Sequence, residues 1–153
     1  MALRNAWSVL LPARADNDVH GSRLPVYVFT LIAVISTVRS CIHLLAPDGG
    51  AATIAGINLN VDGAAGIVFA FGLWGSAQLV YALVQLLVAF RYRSLVPLMY
   101  VLLMVETLLR MLVGRLKPVT FAHTPPGAIG NYVILPLAAV MLMLCLWTRE
   151  TTK

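Results

Sequence analysis

Four long apolar runs, separated by polar segments, dominate the pattern of this chain. They cover residues 25–45, 63–90, 94–113 and 131–147. About twenty apolar residues suffice for an α-helix to cross the hydrocarbon core of a bilayer. In lipid, a helix is favoured because it pairs all of its own backbone polar groups. The pattern therefore predicts an all-α integral membrane protein, a four-helix bundle with helices in antiparallel, up-down order.

Polar and helix-breaking residues divide the chain around these runs. Pro47-Asp48-Gly49-Gly50 ends the first run, and Arg91-Tyr92-Arg93 leaves room only for a tight turn between the second and third. Residues 1–24 contain one apolar patch too short to cross a bilayer, which predicts an interfacial segment on the cytoplasmic surface. We thus expect a transmembrane domain over residues 25–148 and a short cytoplasmic tail over residues 149–153.

Composition supports this prediction and excludes other classes. Of 153 residues, 60% are hydrophobic and only 11% are charged, whereas a soluble domain has about 25% charged residues. A net charge of +5 is also found in proteins that bind nucleic acid. Here most basic residues stand at the ends of the predicted helices, so membrane topology explains them and we expect no nucleic-acid partner.

The distribution of basic residues predicts the orientation of the bundle. If both termini lie inside, seven Lys and Arg side chains fall on the inner side and two, Arg115 and Lys117, on the outer side. Loops that remain in the cytoplasm carry the excess of Lys and Arg. Both termini are therefore predicted to be cytoplasmic.

Two pairs of ionisable residues lie within the apolar runs. Glu106 and Arg110 are four residues apart in the third run, and Arg39 and His43 have the same spacing in the first. At a rise of 1.5 Å per residue, Glu106 lies about 18 Å from Ser94 and Arg39 about 21 Å from the start of its helix. The two pairs therefore reach a similar depth, and Glu106 is predicted to pair with both arginines.

This cluster predicts a polar pocket that opens outward. A charged group within a bilayer is unfavourable by roughly 2.5–3.5 kcal/mol on insertion scales, so such groups are usually paired or functional. Arg39 and Arg110 are candidates to bind a ligand's carbonyl or anionic group, and Asn131 and Tyr132 are candidates for the pocket rim. Glu106 and His43 are the candidate acid–base residues.

The predicted ligand is a small amphipathic molecule, such as a quinone, a lipid or an isoprenoid-like compound. No cofactor can be named, and the positions of His43, His123 and Glu106 match no metal-ligand motif, so no metal site is predicted. Three alternatives stay open. The charged cluster could be only a structural clamp, the chain could be an accessory subunit that docks a membrane protein, or Glu106 could serve an isomerase or oxidoreductase.

Three features resemble those of a known family: the Glu106-x-x-x-Arg110 pair in the third run, the Gly-Arg-x-Lys-Pro exit that follows it, and Arg39 near the outer end of the first run. These features are similar to those of the DoxX-like small bacterial membrane proteins. The resemblance implies a four-helix bundle and, for some members, association with quinone-linked oxidoreductases. We accordingly expect a multi-pass protein of the bacterial inner membrane.

Overall fold

The computed structural model describes residues 3–19 and 21–147. A short helix, α1 (Leu3–Leu10), precedes four long ones, α2 (Leu24–Leu45), α3 (Ala64–Arg91), α4 (Val96–Leu116) and α5 (Pro126–Leu146), and a 3-10 turn (Arg93–Leu95) leads into α4. Within this part of the chain there is no β-strand. The all-helical prediction is confirmed for these residues, while the predicted tail over residues 149–153 lies outside them.

Proline marks the start of three of the long helices. Pro25, Pro97 and Pro126 each stand in the first turn of their helix, where the missing N–H group has no intrahelical acceptor to lose. The helix α5 begins at Pro126, five residues before the predicted start at Asn131. Pro125-Pro126-Gly127 precedes the predicted run 131–147, but the second proline is compatible with a first helical turn.

All four long helices have the length and composition of membrane spans. Each is at least 21 residues long, and each is apolar enough to cross a bilayer. Many of their large apolar side chains stay exposed, including Leu31, Phe69, Leu109 and Val140. Such wide apolar surfaces fit contact with lipid. The chain is a multi-pass membrane protein.

Contacts between connecting segments define the two ends of the bundle. At the loop end, the Ala122 amide donates to the Gly56 carbonyl at 2.8 Å, joining the α2–α3 and α4–α5 connections. At the turn end, the N-terminal segment meets the turn between α3 and α4, where the Ser94 hydroxyl donates to the Asp16 carbonyl at 3.0 Å. We call these the loop end and the turn end of the bundle.

The apolar core lies in the turn-end half of the bundle. It contains the first half of α2, the last turns of α3, the first half of α4 and the second half of α5. Phe29 and Tyr100 meet edge to face with centroids 5.7 Å apart, and the Tyr100 hydroxyl donates to the Pro25 carbonyl at 2.7 Å. Because the core occupies this half, the loop-end half is left for polar groups.

The four helices pack chiefly as two pairs, α2 with α3 and α4 with α5. Gly75 permits the close approach of the first pair. A Cβ atom at this position would lie 2.7 Å from the Leu44 nitrogen and 2.8 Å from the His43 carbonyl carbon. Small residues in membrane helices permit such close backbone packing. Two hairpins therefore meet along a seam, and the candidate site lies on it.

Candidate functional site

A cavity of about 310 Å³ lies on the seam between α2, α4 and α5, towards the loop end. Its polar lining comes from Ser36, Arg39, Glu106, Arg110 and Asn131, and its apolar lining from Ile32, Ile35, Leu103 and Ile134. This size is at the lower end of the range for small-molecule sites, which are about 300–1,000 Å³. We call it the charged cavity, because it brings the three predicted ionisable residues Arg39, Glu106 and Arg110 together.

Arg110 forms its ion pair and its hydrogen bond with residues of its own helix, α4. The Arg110 Nη1 atom lies 3.8 Å from the Glu106 Oε1 atom, as the four-residue spacing predicts. The Arg110 Nη2 atom donates to the Thr107 hydroxyl at 3.3 Å, and Thr107 in turn donates to the Leu103 carbonyl at 2.8 Å. Thr107 is fully buried, and its hydroxyl group helps to hold the Arg110 side chain in place beside Glu106.

Helix α3 holds Arg39 from the opposite side. The Arg39 Nη2 atom donates to the Gln78 Oε1 atom at 3.1 Å, and the guanidinium carbon lies 5.8 Å from the centroid of the Trp74 ring. This distance is within the range of a cation–π contact. The predicted ion pair between Arg39 and Glu106 is wrong: in the described part of the chain, Glu106 forms an ion pair only with Arg110.

Both arginines keep an unused donor in the protein interior. Within the described part of the chain, the Nε atoms of Arg39 and Arg110 are buried and have no hydrogen-bond partner. A buried unsatisfied donor is unfavourable by about 1–3 kcal/mol, and by more when it is charged. With two guanidinium groups and one carboxylate, the lining also carries one positive charge in excess. An acceptor oxygen in the cavity would offset the excess positive charge.

Helix α5 adds one of its two predicted rim residues to the cavity. Asn131 lines it, together with Gly127 and Gly130 from the first turns of the helix. Tyr132 is 70% exposed and is absent from the lining, because consecutive residues of a helix point about 100° apart.

His43, the second candidate acid–base residue, lies away from the charged cavity. Its ring is buried against the α2–α3 connection, where Nδ1 is 2.7 Å from the Gly49 carbonyl oxygen. The ring centroid is 4.8 Å from that of Trp74 and 5.8 Å from that of Phe71. These contacts give His43 a packing role. The structure thus does not bring His43 and Glu106 to one site.

The arrangement presents two guanidinium groups to an acceptor group, with the Glu106 carboxylate beside Arg110. Sequence reasoning did not identify Gln78 as the partner of Arg39. It also missed Thr107, whose signal was its position one turn from Leu103 and three residues from Arg110. Within residues 3–19 and 21–147, no three His, Cys, Asp or Glu side chains are grouped so as to hold a metal ion.

Comparisons of the chain with protein-family models, with curated proteins and with solved structures found no match.

Proposed function

We propose that this chain is an inner-membrane protein that binds a small amphipathic molecule in the charged cavity. The carbonyl or anionic group of the ligand would accept hydrogen bonds from Arg39 and Arg110, and its apolar part would lie against the isoleucine and leucine walls. Quinones, lipids and isoprenoid-like compounds have this combination of groups. Glu106 would hold Arg110 in position and could exchange a proton with the ligand.

The observation that carries this proposal is the excess positive charge of the cavity lining, where two guanidinium groups face one carboxylate. A structural clamp alone would balance its charges internally. The first turn of α5 supports the same chemistry, since Gly127 and Gly130 line the cavity and a helix N-terminus carries a partial positive charge. The DoxX-like relationship stays a prediction and is not needed for this inference.

The proposed orientation has up-down helices and both termini in the cytoplasm. Seven of nine Lys and Arg residues outside the spans fall on the side of the termini, in agreement with the positive-inside rule. The turn end would then face the cytoplasm and the charged cavity would lie in the outer half of the membrane. The ligand would enter from the outer leaflet or from the external side.

A fluorescence titration tests the binding proposal. Replacing Trp7 and Trp147 by Phe leaves Trp74, which contacts Arg39, as the reporter. A short-chain quinone, a fatty acid and an isoprenyl phosphate are then titrated against the protein in micelles. We expect at least one to change the Trp74 emission and to saturate. Arg110→Gln should weaken that ligand at least about tenfold, because a charged hydrogen bond contributes about 1.5–3 kcal/mol.

Arg115→Gln is the matched control, since Arg115 is an exposed arginine on the same helix and its loss changes the net charge equally. Arg39→Lys keeps the charge of the first arginine but loses its planar fork, and should bind more weakly than the parent. If correctly folded Arg39→Gln and Arg110→Gln proteins bind every probe as the parent does, the cluster is only a clamp.

An accessory subunit of a membrane complex is the second candidate function. A Cβ atom at Gly66 or Gly72 on α3 would meet no atom of the described residues within 4 Å, so this part of the helix surface is open to a neighbouring helix. Photo-crosslinkers placed at these two positions in native membranes would capture a stoichiometric protein partner if this role is correct. Crosslinks to lipid alone would contradict it. Catalysis by Glu106 stays a prediction, tested by the pH dependence of activity in Glu106→Gln.

A further inference from the structure

A second, larger cavity of about 530 Å³ lies at the turn end, between α2 and α3. Its charged lining consists of Arg23, Arg93 and Asp18, and its apolar lining includes Val26, Tyr27 and Phe90. We call it the turn-end cavity. It shares no lining residue with the charged cavity, so the two sites are independent.

The two arginines are the groups in this cavity that remain free to bind an anion. In the first turn of α2, the Leu24 amide donates to the Ser22 hydroxyl, and the amides of Val26 and Tyr27 donate to the Arg23 carbonyl. The side chain of Arg23 has no partner in the described part of the chain. Arg93 uses its Nε atom to donate to the Ala89 carbonyl at 3.2 Å, which orients its guanidinium and leaves the terminal nitrogens for a ligand.

The position of the cavity is that of a membrane surface. Arg23 precedes α2, and Arg93 follows α3, so both lie just beyond the ends of apolar spans. Tyr27 and Phe90 are 65% and 60% exposed, and exposed aromatic rings of this kind are enriched at the level of lipid headgroups. Leu31 continues the exposed apolar surface of α2 away from the cavity. An anionic head and an apolar tail therefore have adjoining places to bind.

We propose that the turn-end cavity binds the phosphate group of an anionic phospholipid. Arg23 and Arg93 hold the phosphate oxygens, and the acyl chains lie along the exposed apolar surface below Tyr27. Asp18, the acidic residue of the lining, is outnumbered by the two arginines, so the site retains one positive charge. Basic pockets between membrane helices bind phospholipid headgroups through this chemistry. This proposal does not rest on the function proposed for the charged cavity.

Native mass spectrometry of the full chain in micelles tests the proposal. The probes are phosphatidylglycerol and phosphatidylcholine with identical acyl chains, with inorganic phosphate as a soluble competitor. We expect preferential binding of phosphatidylglycerol and about a fivefold weaker affinity in Arg23→Gln, from the contribution of one basic residue at a lipid surface. Arg91→Gln is the matched control, because Arg91 ends α3 two residues before Arg93 but does not line the cavity.

Arg93→Gln should weaken the binding of phosphatidylglycerol by a similar factor. It also removes the hydrogen bond to the Ala89 carbonyl, so its folding has to be checked by circular dichroism. Arg23→Gln removes no hydrogen bond or ion pair within the described part of the chain, so this variant decides the outcome. The proposal is overturned if Arg91→Gln weakens binding as much as Arg23→Gln, or if Arg23→Gln has no effect. Equal binding of both lipids, with inorganic phosphate bound in an Arg23-dependent way, would assign the site to a free anion and reject the lipid.

Discussion

Gly75→Ala is the most direct test of how α2 and α3 are packed. The added Cβ atom would lie 2.8 Å from both the carbonyl carbon and the Cβ atom of His43, and 2.7 Å from the Leu44 nitrogen. An ordinary carbon–carbon contact is about 3.5 Å or longer, so the new atom would be about 0.7 Å too close. Two of the three atoms belong to the α2 backbone, and no side-chain rotation can relieve their overlap.

The expected cost follows from two opposing effects. Overpacking a well-packed interior is unfavourable by about 1–3 kcal/mol. Replacing Gly by Ala within a helix is favourable by about 0.5–1 kcal/mol. We therefore expect Gly75→Ala to lower the free energy of unfolding by about 1–2 kcal/mol. Gly72→Ala is the matched control on the same helix, because its Cβ atom would meet nothing within 4 Å, and it should be neutral or slightly stabilising.

The assay is reversible unfolding in mixed micelles of increasing denaturing-detergent content, followed by tryptophan fluorescence. Trp74 reports locally, because its ring lies 4.8 Å from that of His43 at this contact. Gly75→Ala should also weaken the binding of any ligand in the charged cavity, because separating α2 from α3 disturbs the hydrogen bond between Arg39 and Gln78. Equal unfolding free energies for the Gly75 and Gly72 variants would refute the close packing of these helices.

Three further predictions concern the core, a loop and the topology. Tyr100→Phe removes the buried hydrogen bond to the α2 backbone and should lower the free energy of unfolding by about 0.5–1.5 kcal/mol, whereas Tyr132→Phe, at an exposed position, should have no effect in the same unfolding assay. Backbone amides, first that of Thr53, lower the pKa of Asp48 to about 2. The ionised Asp48 carboxylate therefore contributes fully to folding stability above its unfolded pKa, near 3.8, and this contribution is lost as the pH falls through about 2. The NMR chemical shift of the Thr53 amide should follow this titration, and the pH dependence of that shift should disappear in Asp48→Asn. The topology can be tested in a background with both native cysteines replaced. In whole cells, Thr53→Cys in the α2–α3 connection should react with a maleimide that does not cross the inner membrane, whereas Asn17→Cys should not react. The reverse pattern would contradict the proposed orientation.

The features of the fold that follow from local sequence were predictable. Apolar length predicted the four long helices, and their presence is confirmed. The start of α5 was misplaced because a proline pair resembles a loop until the second proline is recognised as a first-turn residue. This error removed Gly127 and Gly130 from the predicted site, although both line the charged cavity.

The charged cluster shows the limit of sequence reasoning more sharply. The contact between Glu106 and Arg110 depends only on spacing along one helix, and it was predicted. The partner of Arg39 depends on how each helix is rotated about its axis and on which helix lies beside α2. Packing at Gly75 brings α3 against α2, so Gln78 is the partner. The same rotation directs His43 towards Trp74 and away from Glu106.

The seam between the two hairpins has a consequence for how the protein would respond to its ligand. Arg39 belongs to one hairpin and Arg110 to the other, so a molecule held by both would act as a non-covalent brace between them, next to the core residues Ile32 and Leu103 that line the same cavity. Binding and folding would then be linked. At a hundred times its dissociation constant, such a ligand would add about 2.7 kcal/mol to the stability. A melting-temperature screen of candidate compounds would therefore search for the ligand and probe the joint between the hairpins at the same time.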